Sequence, residues 1–364
     1  MLIDSILLDY WFLAPAVSLF CEAVRWLSKS LLGSLKEERH WVHVDETPRV
    51  GGICIFLALL VSSISFLDMT VPENQMLVYF VALIPIFAIG FIEDIAGGVS
   101  ALAGLVFSSF VVIVACGFIF YSHGISGQNQ SSLFLMPFLF VCLCATGVGL
   151  IHGTNLIDGL NGLAVFWGIG AAIAIWVCVL NSPSFSSAEK EFVSKIIIIF
   201  CLCLIGFFLV NFPFGRVFLG DSGAYLIGSS VFVLGAILIM RSPDSQTILK
   251  ISAACSYPLM ELGWTVSRRA FINKKSLFSA DNAHLHSFIY ANIKRRFSAL
   301  SVRSANNCAS IVTFLFVMQI TFWVSVMLPV DFWSACLVWL FCPASYITVY
   351  FLAVCHVVSS DTRQ

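Results

Sequence analysis

Eleven apolar stretches, each near the roughly 20 residues that a helix needs to cross a bilayer, divide this chain. They run at about 6–27, 51–69, 77–92, 101–121, 133–151, 163–181, 196–211, 218–240, 249–266, 307–329 and 332–356. In hydrocarbon the backbone must bond to itself, which leaves helices as the natural state for such runs. Of the 364 residues, 59% are hydrophobic and only 11% charged, against about 25% charged in an average soluble protein. The expected fold is an all-α integral membrane protein of about 11 (10–11) transmembrane helices, a single polytopic domain over 1–364. The window at 77–92 is short and carries Pro85, so it is the weakest of the set. A net charge of −1 gives no bulk field for nucleic acid. The 13 cysteines are odd in number and lack a CxxC pair. Most, such as Cys142, Cys144, Cys201 and Cys203, lie inside apolar runs and read as packing residues. The N-terminus opens with Asp4 and has no basic segment ahead of its apolar run, so no cleavable signal peptide is expected.

An odd number of spans puts the termini on opposite sides. With the N-terminus outside, the inner segments carry Arg25, Lys29, Lys36, Arg39, Arg49, Arg216, Arg268, Arg269, Lys274, Lys275, Lys294, Arg295, Arg296, Arg303 and Arg363. The outer segments carry Lys190, Lys195, Arg241 and Lys250. Fifteen basic residues against four is a clear positive-inside bias. This topology gathers five polar segments, four of them with glycine, at the cytoplasmic surface: "DETPRVGG" (45–52), "FIEDIAGG" (91–98), "TNLIDGLNG" (154–162), "FPFGRVFLGDSG" (212–223) and "DNAHLHS" (281–287). They read as one composite site. A carrier that moved solute across the bilayer would concentrate its polar residues nearer the midplane and show internal repeats; neither is evident.

Each segment has its own chemistry. Glu93 and Asp94 are adjacent acids at the end of an apolar run, suited to a general base or a metal-linked carboxylate, or to a solvated helix cap. Asn155 and Asp158 stand three apart and would share a helix face that Asn161 continues. Gly159 and Gly162 let backbone or ligand approach. Amide and carboxylate oxygens suit a hard cation such as Mg²⁺, bound together with substrate phosphates. Asp221 and Ser222 follow Gly220 at the start of another apolar run, where capping competes with metal binding. The segment 267–306, expected to be a cytoplasmic loop with short helices of its own, holds Arg268, Arg269, His284 and His286. Histidines at i, i+2 do not make a helical zinc pair. Arginine with histidine suits phosphate oxygens instead, although basic residues here also serve topology. Together these are the parts for phosphoryl-type transfer, and the membrane setting suggests a lipid substrate.

The motifs "TPRVGG", "GFIED", "NLIDGLNGLA", "FLGDSGA" and "HLH", in this order, resemble those of the polyprenyl-phosphate N-acetylaminosugar-1-phosphate transferases (the MraY/WecA type). The resemblance spans residues 45–296. It implies transfer of a sugar 1-phosphate from a UDP-N-acetylaminosugar to undecaprenyl phosphate, with release of UMP and a need for Mg²⁺, for which Mn²⁺ would be a substitute. It implies a bacterial inner-membrane enzyme with a cytoplasmic active site and, at family level, a homodimer. By the same resemblance Glu93 and Asp94 match an acidic pair whose first member deprotonates the lipid phosphate. Asn155 and Asp221 match positions near Mg²⁺ and the diphosphate, Asp158 the acid of the NxxDG motif, and Asn161 a residue near the nucleotide base. His284 and His286 match a histidine motif that contacts diphosphate or sugar, and Arg49 matches an early basic residue.

Two departures stand out. The family pair is usually Asp-Asp, here Glu93-Asp94. The histidine motif is His-Leu-His followed by Ser287, not the three-histidine run of the peptidoglycan-type phospho-MurNAc-pentapeptide enzymes. That favours the branch that starts O-antigen or related cell-surface glycans. The expected chemistry is a single displacement at the β-phosphorus, with a covalent acyl-phosphate as the competing course. A lipid or nucleotide-sugar transporter and an inactive relative are the readings from other classes.

Overall fold

The computed structural model describes residues 2–31, 47–63, 73–96, 100–123, 132–242, 244–272, 283–315 and 343–355. Helices α1 (Leu2–Tyr10) and α2 (Leu13–Leu31) share the first apolar window. α3 (Gly51–Ser62), α4 (Glu73–Ala96), α5 (Ala101–His123) and α6 (Ser132–Ile157) follow. Then come α7 (Leu163–Asn181), α8 (Ser187–Asn211), α9 (Gly220–Arg241), α10 (Ser245–Ala254) and α11 (Ser256–Ser267). One π turn, Arg268–Ile272, continues α11. α12 (Leu285–Arg296), α13 (Val302–Thr313) and α14 (Pro343–Cys355) complete the described elements.

Seven helices among the described residues are long and apolar enough to cross a membrane: Ser5–Leu27, Tyr79–Ala96, Ala101–Ser122, Met136–Ile157, Leu163–Asn181, Ser187–Asn211 and Gly220–Arg241. The all-α membrane architecture is thereby established, while a count of about eleven is not. α3 is a shorter apolar helix whose window runs on outside the described residues. Most of 307–329 and the start of 332–356 lie outside them too.

The window at 249–266 is two helices, not one. Pro258 has no N–H to return to the carbonyl four residues back. That carbonyl, Ala254 O, accepts instead from Trp167 Nε1 of α7 at 3.1 Å, so the break is satisfied from a neighbouring helix. Pro85, by contrast, leaves α4 continuous from Glu73 to Ala96, as packed membrane helices allow.

α9 is the axis. Every residue from Ser222 to Met240 is buried, and α3, α4, α5, α6 and α7 pack around it. A helix apolar on all sides belongs in such a centre. Small residues bring the backbones together. A Cβ on Gly90 would stand 2.6 Å from Ser222 Cα, and one on Gly228 would stand 2.6 Å from Leu150 O. The outer shell instead turns Trp26, Phe110, Phe138 and Val141 outward, which suits lipid.

Candidate active site

The polar segments meet at one end of this bundle, around the N-terminus of α9. The backbone of 47–52 runs beside that of 215–220. Phe218 N donates to Pro48 O at 2.9 Å, Gly51 N to Phe218 O at 3.0 Å, and Gly52 N to Leu219 O at 2.9 Å. The closeness demands glycine: a Cβ on Gly52 would lie 2.3 Å from Ser222 Oγ. Arg49 is thereby carried to the α9 terminus, where its charge faces Asp158 and Asp221.

α9 has no side-chain cap of its own at Leu219. Asp94, at the end of α4, supplies it. Asp94 Oδ1 accepts from Asp221 N at 2.8 Å; Oδ2 accepts from Ser222 N at 3.0 Å and from Ser222 Oγ at 2.6 Å. A carboxylate at a helix N-terminus is stabilised by the free N–H groups and the dipole. Gly220, at φ +77°, passes so near that a Cβ would stand 2.6 Å from Asp94 Oδ2. The sequence allows Asp221 to cap this helix; in the fold Asp94 does it, and Asp221 turns its carboxylate toward Asn155. Glu93 turns the other way, toward the Tyr225 hydroxyl.

α6 ends at Ile157, with Asn155 in its last turn and Asp158 just past the end. The expected continuous face from Asn155 to Asn161 is therefore interrupted. The chain leaves the helix through Gly159 and re-enters one after Gly162 at φ +76°, a conformation that favours glycine. Asn161 is buried and pinned. Its N–H donates to Asn306 Oδ1 at 2.9 Å and its Nδ2 to Asn307 Oδ1 at 3.2 Å. Asn307 Nδ2 in turn donates to Pro213 O at 2.8 Å. Burial, with Asp221 and Asp94 nearby, pushes the Asp158 carboxyl well above its ordinary range, and Arg49 opposes the shift.

His286 packs on Gly159, whose Cβ, if present, would meet Nε2 at 2.1 Å. His284 and His286 stack with ring centroids 5.5 Å apart. His284 Nδ1 pairs with Glu261 Oε1 at 3.0 Å, and Tyr346 OH donates to Glu261 Oε2 at 2.8 Å. Glu261 is fully buried. It was not singled out from sequence, although a lone acid within an apolar run must have a partner. Asn306, Asn307 and Tyr346 carried no such signal. Arg268 and Arg269 are buried in the same region, and Arg268 Nη2 donates to Ala283 O at 3.2 Å. Arg216 points elsewhere, to Glu22 of α2 at 3.0 Å.

All eleven sequence candidates thus gather at one end of the bundle, with Asn161 held through its neighbours and Asp94 in a capping role. The donors are oxygens and the acids outnumber Arg49. Among the described residues no three His, Cys, Asp or Glu side chains form a metal cage. Asp221 with Asn155 fits a hard cation that keeps waters and arrives with a diphosphate, as Mg²⁺ does.

Helices of membrane length that gather acidic and amide side chains with buried histidines at one end define a membrane-embedded enzyme. The family model "Glycosyl transferase family 4" matches residues 76–240. Among similar proteins are a decaprenyl-phosphate N-acetylglucosaminephosphotransferase of Mycobacterium leprae, 27% identical over 67% of both chains, and an undecaprenyl-phosphate alpha-N-acetylglucosaminyl 1-phosphate transferase of Thermotoga maritima, 25% identical over 76% of this chain and 77% of that protein. A phospho-N-acetylmuramoyl-pentapeptide-transferase of Ruegeria is 32% identical over 59% of this chain and 64% of that protein. The family model and these relatives support the polyprenyl-phosphate N-acetylaminosugar-1-phosphate transferases as the family of this chain, and the chain is a multi-pass membrane phosphotransferase.

Proposed function

We propose that this protein transfers an N-acetylaminosugar 1-phosphate from a UDP-sugar to undecaprenyl phosphate at the cytoplasmic face of the inner membrane. UMP is released, and the lipid-diphosphate-sugar formed starts an O-antigen or related cell-surface polysaccharide. The observation that carries this reading is the meeting of Arg49, Asp94, Asn155, Asp158 and Asp221 at the α9 N-terminus, with His286 seated on Gly159 beside them.

A phosphate oxygen of the lipid attacks the β-phosphorus of the donor; the bond to the bridging oxygen breaks, and UMP leaves. Asp221 and Asn155 would hold Mg²⁺, which when bound supplies charge neutralisation to the diphosphate. Asp94 has both oxygens committed to α9, so Glu93 is the better candidate to take a proton from the lipid phosphate. A phosphate monoester has a second pKa of about 6, and Glu93 takes the remaining proton so that the attacking oxygen is fully anionic. His284, His286, Arg268 and Arg269 stabilise charge on the departing UMP. Asn161, fixed by α13, lines the nucleotide.

Purified protein in detergent, given undecaprenyl phosphate, Mg²⁺ and a panel of UDP-N-acetylhexosamines, should release UMP and form a lipid product with one donor and lose both with EDTA. The panel includes the UDP-N-acetylmuramoyl-pentapeptide, because a relative at 32% identity carries that specificity in its name. Turnover with that donor alone would move the protein to the peptidoglycan branch. UMP release that survives EDTA would remove the metal from the reading.

A further inference from the structure

Four helices each send one polar side chain into the bundle beneath the α9 N-terminus, and together they form a chain behind Glu93. The Glu93 carboxylate of α4 faces the Tyr225 hydroxyl of α9. The Tyr225 ring stands edge-to-face against His152 of α6, centroids 5.4 Å apart. His152 Nε2 is 2.8 Å from Ser108 Oγ of α5. Ser108 Oγ also donates to Leu105 O at 3.0 Å; with its one proton spent there, it accepts from His152 Nε2–H. None of Tyr225, His152 and Ser108 belongs to the motifs that define the site. Tyr225 is 4% exposed and Ser108 fully buried. Such groups are costly at this depth unless partnered.

We infer that Tyr225 is a positioning residue for Glu93, with His152, seated by Ser108, as the wall that fixes its ring. The inference rests on the transferase reading above. Glu93 needs fixing for a geometric reason. Its arm is one methylene longer than that of an aspartate, and Asp94 and Asp221 repel its carboxylate. Gly104 of α5 adds the space: a Cβ there would stand 2.7 Å from Glu93 Oε1. The acid is thus held between a glycine face and a hydroxyl, at a set distance from Asp221. Preorganisation of this kind serves a group that acts on a substrate.

The test is a double-mutant cycle on the full-length protein in detergent, with UMP release as readout. Tyr225→Phe keeps the ring and its contact with His152 and removes only the hydroxyl. Expected are a fall in kcat of about tenfold to a hundredfold, the range for loss of a hydrogen bond to a charged group, and an unchanged KM for the UDP-sugar. Glu93→Asp should withdraw the carboxylate from Tyr225, so the Tyr225→Phe effect should largely vanish in that background. Equal effects of Tyr225→Phe in both backgrounds would reduce the network to helix packing and overturn the inference. So would wild-type kcat in Tyr225→Phe. A wild-type protein without transferase activity would overturn the reading beneath it and this inference together.

Discussion

Asp94 and Asp221 look alike in sequence, each an acid beside a glycine-rich turn, yet they do different work. Asp94 spends both oxygens on α9, whereas Asp221 faces Asn155 and Arg49. The two asparagine variants should therefore separate. Asp94→Asn places an NH₂ opposite N–H donors and should cost stability, on the order of 1–3 kcal/mol, seen as a lower melting temperature in detergent together with lower activity. Asp221→Asn should melt like wild type while turnover falls at least a hundredfold. Asp158 adds a pH dependence. Its carboxyl titrates well above the ordinary aspartate range, chiefly through burial. Between the ordinary value and the raised one the folded state holds more protons than the unfolded chain, so ligand-free stability falls as pH rises there. Ionised Asp158 favours a nearby cation, so the Mg²⁺ concentration for half-maximal rate should fall as pH rises over the same window. Asp158→Asn should flatten that dependence; an equally steep curve in the variant would remove Asp158 from it. The sequence showed which residue types gather at the site, because oxygen donors stand out in an apolar chain. It could not show which acid caps and which binds, since that depends on where α4 ends relative to α9.

The element scale explains what sequence left out. Apolar length alone located α7 and α9 closely, but missed the polar first nine residues of α8 and could not see that 249–266 breaks. The break needs two facts together: the missing N–H of Pro258 and a Trp167 indole placed to take the freed Ala254 carbonyl. Nor could periodicity assign α13 to the site, because Asn306 and Asn307 look like surface polar residues until the fold brings them to Asn161. These contacts make α13 a clamp on the turn between α6 and α7, tied on its far side to Pro213. Asn307→Ala should loosen Asn161 without touching the acids. The expected result is a rise of several-fold in KM for the UDP-sugar with kcat within about twofold of wild type. A change confined to kcat would take Asn161 away from donor binding. Glu261 belongs to this scale as well: one buried acid on α11 ties His284 to Tyr346 of α14, so the histidine segment is held by helices distant in sequence.

For the whole molecule the open quantity is orientation, and the distribution of charge bears on it. The end of the bundle that carries Arg49, Arg268 and Arg269 also gathers Arg25, Arg216 and the basic last turn of α12. Among the described residues the opposite end carries few basic side chains, and they are engaged where shown: Arg241 pairs with Glu189, and Lys190 Nζ donates to Leu180 O at 2.9 Å. Lys/Arg asymmetry in short loops sets topology, and the proposed function accordingly expects the acidic cluster on the cytoplasmic side. Cys308 offers a direct reporter. It is exposed, and it follows Asn307, which is bonded to both Asn161 and Pro213 at the site end. In a variant keeping Cys308 as its single cysteine, a membrane-impermeant maleimide should label inside-out vesicles and leave intact spheroplasts unlabelled until they are lysed. Adding UDP-sugar before the reagent should slow the labelling, because Cys308 rides on the helix that fixes Asn161. Labelling of intact spheroplasts would invert the topology, and with it the requirement that donor and lipid phosphate meet on the cytoplasmic face.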